Sequence, residues 1–165
     1  MAVADALFRC GFPYIKTLGM RRVTSGVVDV TPGPDNLVYV LLRADIPIGG
    51  CCVRVLNWED EDIGTIGSTG SGDGNFQWPT KLLVDRDQNL IISDEGLNRI
   101  TVMNKDGSFI SKWGEYGCEP GQLNRPSGMA FDKDENIYVV DSFNQRIQKF
   151  TKNGDFIFSW GEYGN

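Results

Sequence analysis

The sequence contains no histidine. Ser-His and Cys-His nucleophile pairs therefore cannot form within this chain, and neither can a metal site with a histidine ligand. General acid–base chemistry would have to use carboxylates, lysine, tyrosine or cysteine. The sequence thus offers no recognisable catalytic constellation and no metal-ligand pattern, and it leaves enzymatic activity open but disfavoured.

Long apolar runs and an excess of basic residues are also missing. No run approaches the length of a membrane span, and the N-terminus lacks the basic and apolar segments of a signal peptide. The chain has 16 Lys and Arg residues against 22 Asp and Glu residues and a net charge of −6, which disfavours broad phosphate contacts with nucleic acid.

Only four cysteines are present, with no recurring spacing. Cys51 and Cys52 are adjacent, an awkward arrangement for a disulfide. These features predict reduced thiols with a structural role and a cytoplasmic location.

A repeat organises the second half of the chain. The pentapeptide WGEYG occurs at 113–117 and again at 160–164, 47 positions later. The same shift aligns residues 78–117 with 125–164 without a gap. Such self-similarity at a fixed period is the sequence signature of a repeat architecture.

A weaker copy precedes these two. Residues 27–67 fit the same pattern if a few extra residues enter near 43–52, and YIKTLG at 14–19 resembles only the last strand of a unit. The sequence therefore predicts three copies with a stray strand in front of them.

Each copy has the pattern of four short strands joined by turns rich in Asp, Asn and Gly. The second strand of each copy is continuously apolar, at Leu37–Leu42, 90–92 and 137–140, so we expect burial on both of its faces. Sheets covered on both sides must stack on one another around an axis. This predicts an all-β protein, a β-propeller of four-stranded antiparallel blades. One propeller segment then covers residues 1–165, with a lone outer strand at 12–19 and blades at about 20–67, 76–114 and 123–161.

The best copy resembles the NHL repeat. The residues that carry the resemblance are Pro126, Gly128, Ala130 and Asp132, then Asn136, Tyr138, Val139 and Asp141, then Asn144, Arg146, Ile147 and Phe150, and finally Trp160 and Gly161. The resemblance is strong over 76–164 and weaker over 12–67. It implies a ring of about six blades, of which three copies are half. Either the chain is part of a longer protein, or a homodimer completes a six-bladed ring.

The loops between blades are the first candidate for a binding site, because rigid sheets often present recognition residues on loops. Phe76, Trp78, Tyr116 and Arg125 could form an aromatic–arginine patch for a peptide or a carbohydrate. The alternative is that these side chains only fill the space between blades.

A second candidate is the recurrent Asp–Asn–Arg pattern at Asp94 and Asp141. Its members Asn98, Arg99, Asn144 and Arg146 could line one mouth of the propeller. Because they recur in each good copy, the favoured alternative is that they tie turns and strands together.

The function most consistent with these observations is a scaffold-like interaction module that binds a protein or a small ligand through its inter-blade loops. The resemblance also suggests part of a six-bladed enzyme, a lactonase-like metal-dependent hydrolase or a lyase. We predict no cofactor. Clustered carboxylates would suit Ca²⁺, but their spacing favours a solvated acidic rim. RNA binding is a third alternative, which the acidity disfavours.

Overall fold

The computed structural model describes residues 17–18, 26–44 and 50–161. The predicted strand at 12–19 lies outside these residues except for Thr17 and Leu18, and so do residues 45–49 of the interruption near 43–52. Within the described ranges the chain forms twelve strands: β1 (Val27–Pro32), β2 (Leu37–Leu42), β3 (Cys52–Asn57), β4 (Asp62–Ile66), β5 (Pro79–Val84), β6 (Leu90–Asp94), β7 (Arg99–Met103), β8 (Phe109–Trp113), β9 (Pro126–Phe131), β10 (Ile137–Asp141), β11 (Arg146–Phe150) and β12 (Phe156–Trp160).

The strands form three four-stranded antiparallel sheets, each built from four consecutive strands: β1–β4, β5–β8 and β9–β12. One short 3-10 helix, Ser142–Asn144, joins β10 to β11. In the described part of the chain no helix has the length and apolarity that a membrane span requires.

The turns follow from the Asp and Asn residues of the repeat. Between β5 and β6 the Asp85 carboxylate accepts the N–H of Asn89 at 2.7 Å, and between β9 and β10 Asp132 accepts the N–H of Asn136 at 2.9 Å. These side chains replace backbone partners that a tight turn cannot supply.

Packing between the sheets uses the continuously apolar strands. Ile91 and Ile92 are neighbours on β6, but Ile92 belongs to a core cluster with residues of the first sheet and Ile91 to a cluster with residues of the third. Successive side chains of a strand point to opposite faces, so the second sheet is covered on both sides.

The prediction of two-sided burial fails for β10. Ile137 and Val139 are fully buried against the second sheet, whereas Val140 is 38% exposed. The physical reason is that the second sheet covers one face of the third, while no sheet of the described residues covers the other.

The first strands of neighbouring sheets lie side by side at the centre. Asp29 of β1 accepts the backbone N–H of Leu82 on β5 at 2.8 Å, and Thr80 of β5 donates to the carbonyl of Pro126 on β9 at 3.1 Å. Stacked sheets with their first strands gathered along one axis are the blades of a β-propeller, which confirms the predicted fold.

Candidate functional site

Two buried aspartates fix the loops that enter the second and third sheets. Asp94, at the end of β6, is fully buried and accepts the backbone N–H groups of Gln77 at 2.7 Å and Trp78 at 3.0 Å. Its repeat equivalent, Asp141, accepts the N–H of Asn124 at 2.6 Å. Asp94 therefore anchors the two residues that precede β5, and Asp141 anchors Asn124, two residues before β9.

Arg99 and Arg146 hold the longer part of the same loops. The guanidinium of Arg99 donates to three backbone carbonyls, of Ser71, Gly72 and Asn75. Arg146 pairs with Asp141 at 2.8 Å and donates to the carbonyls of Cys118, Glu119 and Gln122. The terminal guanidinium N–H groups of Arg99 and Arg146 are thus engaged within the fold, whereas the buried Nε of Arg99 forms no hydrogen bond with a described residue.

Asn144 acts in the same way. Its amide nitrogen donates to the carbonyl of Gly117 and to the Asp141 carboxylate, each at 2.8 Å. The recurrent Asp–Asn–Arg pattern therefore holds the loops in place. Four residues of this pattern were predicted as site residues from the sequence, and one of them, Asn98, lines the cleft described in the next paragraph.

This cleft, which we call the loop cleft, lies between the loops that enter the second and third sheets and has a volume of about 510 Å³. Its walls come from three loop segments, and its lining residues are Gln77, Trp78, Glu95, Gly96, Asn98, Tyr116, Asn124 and Arg125. The structure brings together Trp78, Asn98, Tyr116 and Arg125 from the sequence-predicted set.

Phe76 lies elsewhere. Its side chain is fully buried in the core cluster between the first and second sheets. The two neighbouring aromatic residues of this loop, Phe76 and Trp78, therefore face the core and the cleft respectively.

Two exposed aromatic rings stand in the loop cleft. Trp78 is 50% exposed and Tyr116 is 71% exposed. The guanidinium carbon of Arg43 lies 5.0 Å from the centre of the Trp78 ring, within the range of a cation–π interaction. Arg43 also approaches Glu95 at 3.8 Å, so its charge is balanced inside the site.

Arg125 occupies the opposite wall. Its backbone N–H donates to the Asn98 side-chain oxygen at 2.8 Å, and its guanidinium carbon lies 4.5 Å from the centre of the Phe143 ring. No acidic residue within the described ranges forms an ion pair with Arg125. The loop cleft therefore presents a positioned guanidinium whose N–H groups are available.

Two side-chain amides and one hydroxyl of the loop cleft have no hydrogen-bond partner among the described residues. The side chains of Gln77 and Asn124 and the hydroxyl of Tyr116 form no hydrogen bond with any described residue, whereas the amides of Asn89 and Asn136 are bonded within their turns. A cleft with rigid loops, exposed rings and unused donors and acceptors has the properties of a ligand-binding surface.

Four lining residues were not predicted from the sequence: Gln77, Glu95, Gly96 and Asn124. Gln77 and Asn124 are repeat equivalents that directly precede Trp78 and Arg125, and this spacing was the signal that could have identified them. Glu95 and Gly96 carried no such signal, because their place in the cleft depends on the path of the β6–β7 turn.

Metal-binding and thiol chemistry find little support in the described residues. Residues 17–18, 26–44 and 50–161 contain no group of three or more Cys, Asp or Glu side chains that could hold a metal ion. Cys51 and Cys52 are buried and Cys118 is exposed. Burial raises the pKa of both the Cys51 and the Cys52 thiol, which lowers their thiolate content at neutral pH.

The NHL-repeat family model matches residues 123–150. This stretch runs from the end of the loop that enters the third sheet to the end of β11. The resemblance seen in the sequence is thereby confirmed for this stretch. No curated protein matches the chain.

Several solved structures share the fold. Streptogramin B lyase has a TM-score of 0.66 and 15% identity, with 92% of this chain and 45% of the lyase covered. A catalytically inactive virginiamycin B lyase from Staphylococcus aureus with quinupristin has a TM-score of 0.62 and 14% identity, with coverage of 90% and 45%. Hydrazine synthase from Kuenenia stuttgartiensis has a TM-score of 0.61 and 17% identity, with coverage of 92% and 40%. The chain thus spans less than half the length of these structures.

Proposed function

We propose that this NHL-repeat β-propeller segment is an interaction module whose loop cleft binds a peptide segment of a partner protein. The observation that carries the proposal is the convergence of two exposed rings, those of Trp78 and Tyr116, with unbonded side-chain amides on loops that buried charges hold in place. Because those loops are already ordered, binding costs little conformational entropy.

The chemistry of the cleft favours a peptide. A side-chain amide both donates and accepts a hydrogen bond, and so does the backbone of an extended peptide. Gln77 and Asn124 offer this pairing on either side of the cleft, while Trp78 and Tyr116 offer apolar surface to the side chains of the peptide. Tyrosine, tryptophan and arginine are also the residues enriched at the energetic centres of protein interfaces.

The lyase structures support the fold and do not carry their reactions to this chain, because their identities are 14–15%.

For location we propose a reducing compartment such as the cytoplasm. The support for it is that the buried Cys51 and the exposed Cys118 form no disulfide within the described part of the chain.

A peptide library displayed on phage tests the proposed function. Peptides selected on the wild-type protein should lose about tenfold in affinity when Trp78→Ala removes the indole wall. Trp58→Ala is the matched control, because Trp58 is 48% exposed but lies in the β3–β4 turn away from the cleft, and it should leave affinity unchanged.

The opposite outcomes are equally clear. If no peptide is selected, or if the selected peptides bind the Trp78→Ala variant as well as the wild type, the loop cleft is not a peptide site. Retention on a glycan array that Trp78→Ala abolishes, in the absence of peptide binding, would assign the cleft to carbohydrate instead.

A further inference from the structure

The charges around the loop cleft are unevenly balanced. Arg43 and Glu95 approach each other at 3.8 Å and largely cancel, whereas Arg125 has no acidic partner among the described residues. The cleft therefore presents one guanidinium without an ion-pair partner in the described part of a protein whose net charge is −6, while the carboxylate behind the opposite wall, Asp94, is buried and bonded to backbone N–H groups. A cation retained without a partner at a concave surface is a candidate for recognition of an anionic group.

The Arg125 guanidinium is oriented as well as unpaired. Its carbon lies 4.5 Å from the centre of the Phe143 ring, and stacking on an aromatic face leaves the N–H groups at the edge of the guanidinium plane available. The backbone of Arg125 is also held in place, because its N–H donates a 2.8 Å hydrogen bond to the Asn98 side-chain oxygen. The paired N–H groups of the guanidinium match the two oxygens of a carboxylate.

The repeat shows that the fold does not require an arginine here. Trp78 occupies the equivalent position in the preceding unit. The contact that anchors the Arg125 backbone uses its N–H group, which any residue except proline would provide. The guanidinium itself donates no hydrogen bond to any described residue, in contrast to Arg99 and Arg146, which hold loops.

From these observations we infer that the peptide bound in the loop cleft is acidic and that the Arg125 guanidinium receives its carboxylate. This inference rests on the proposed function and specifies the partner chemistry. The carboxylate is that of an Asp or Glu side chain or of a C-terminus. Nucleic acid fits less well, because phosphate backbones are bound through several cations and the cleft has one without a partner.

Positional decapeptide libraries with amidated C-termini test the inference. One library places Asp or Glu at each position in turn, the second places Asn or Gln there, and a third repeats the neutral set with a free C-terminal carboxylate. The wild-type protein should bind members of the acidic or free-carboxylate set about tenfold more tightly than the neutral amidated set. Which of the two sets is preferred identifies the source of the carboxylate.

Four variants make the result specific to the cleft. Arg125→Gln should remove the acidic preference, and Arg125→Lys should restore part of it, since lysine keeps the charge without the paired N–H groups. Lys105→Gln is the matched control, because it removes one exposed positive charge from the β7–β8 turn and should preserve the preference. Phe143→Leu should weaken it, since Phe143 is a positioning residue for the guanidinium. Thermal melting checks that each variant is folded.

The failures of the two proposals are distinguishable. Binding of all three libraries without an acidic preference, or a preference that persists in Arg125→Gln, overturns the inference and leaves peptide binding in place. Absence of binding to any library overturns both. Displacement of bound peptide by a uridine oligonucleotide, with a steep salt dependence, would assign the Arg125 site to phosphate.

Discussion

Arg99 and Arg125 show how one residue type serves two purposes in neighbouring repeats. Arg99 is buried, and its guanidinium donates to three loop carbonyls, whereas Arg125 is exposed and stacks on Phe143. Removal of a donor that satisfies buried acceptors leaves them unpaired and costs stability. Removal of Arg125 leaves no buried group without a partner, so its loss is expected to affect binding and not folding.

Cysteine reactivity follows from the same contrast between buried and exposed side chains. Cys118 is exposed, whereas Cys51 and Cys52 are buried with a raised pKa because burial disfavours the thiolate. We expect a maleimide reagent at pH 7 to modify Cys118 at least about tenfold faster than Cys51 or Cys52 in the folded protein. Peptide mapping by mass spectrometry measures the rates, and denaturant should equalise them. Similar rates for all three thiols without denaturant would contradict the assigned burial.

Asp132 provides a pH-dependent contribution to stability. Lys149 lies 2.8 Å from the Asp132 carboxylate, and this hydrogen bond, together with that from Asn136, holds the pKa of Asp132 well below its ordinary value. A carboxyl group with a lowered folded-state pKa stabilises the fold above its unfolded-state pKa of about 4, and loses this contribution as the pH falls through the lower folded-state value. The same ion pair raises the pKa of Lys149. The contribution of Lys149 to stability is therefore complete below its unfolded-state pKa of about 10.4. It is lost only as the pH rises through the raised folded-state pKa.

Asp132→Asn should therefore lower the melting temperature at pH 7, and the difference from the wild type should shrink as the pH is lowered through and below 4. Asp73→Asn is the control, since Asp73 pairs with Lys112 at an exposed site where an ion pair contributes little. A difference between Asp132→Asn and the wild type that stays constant from pH 7 to pH 2 would show that the ion pair is not responsible.

At the level of strands and turns, glycine size sets how closely two sheets approach. Gly154, in the turn between β11 and β12, has a φ of +92°, and a Cβ at this position would lie 2.3 Å from the Trp113 ring of the preceding sheet. Its repeat equivalent Gly107 has a φ of +85° and a wider gap, 3.2 Å to Ile66. The larger tryptophan thus reaches further over its glycine than the isoleucine does.

Gly154→Ala should destabilise the fold by about 2–4 kcal/mol, since it adds a steric clash to the cost of a left-handed alanine. Gly107→Ala should destabilise the fold by about 1 kcal/mol less than Gly154→Ala does, because Ile66 leaves more room for the added Cβ. Urea unfolding measures both, with Gly64→Ala as the control because no atom lies within 4 Å of the added Cβ. Equal losses for the two turns would refute the proposed role of Trp113.

The sequence predicted the strands well because turn residues and apolar runs are local signals. Ile91 and Ile92 pack into different core clusters, as is expected for a continuously apolar strand that lies between two sheets. The site was harder to predict, because Phe76 and Trp78 are both aromatic and both precede β5, and their local pattern does not say which faces the core. That choice depends on the left-handed Gly74, with a φ of +74°, and on the Asp94 contacts that turn the chain at Trp78.

At the scale of the whole molecule, one sheet face stands out by its exposed apolar side chains. It is the far face of the third sheet, the face that is not packed on the second sheet. Tyr138, Val140, Ile147 and Trp160 line an apolar groove of about 450 Å³ on it. Trp160 is the repeat equivalent of Trp113 and Ile66, each of which is covered by a glycine of the following sheet. We propose that this face receives a further four-stranded sheet of the same repeat with a glycine above Trp160. This chain covers only 40–45% of each similar structure, which supports the proposal.

In a purified sample of this chain a second copy is the available apolar partner for that face. We therefore expect concentration-dependent association in sedimentation velocity, since contiguous exposed apolar surface drives association. Ile147→Glu should shift the protein to a monomer, because a dimer interface would then have to bury an unpaired carboxylate. Ile63→Glu is the control, because Ile63 is 54% exposed on the outer strand β4 and should leave association unchanged. A wild-type protein that stays monomeric at every concentration, with no effect of Ile147→Glu, would mean that the face does not act as a sheet-docking surface in this chain.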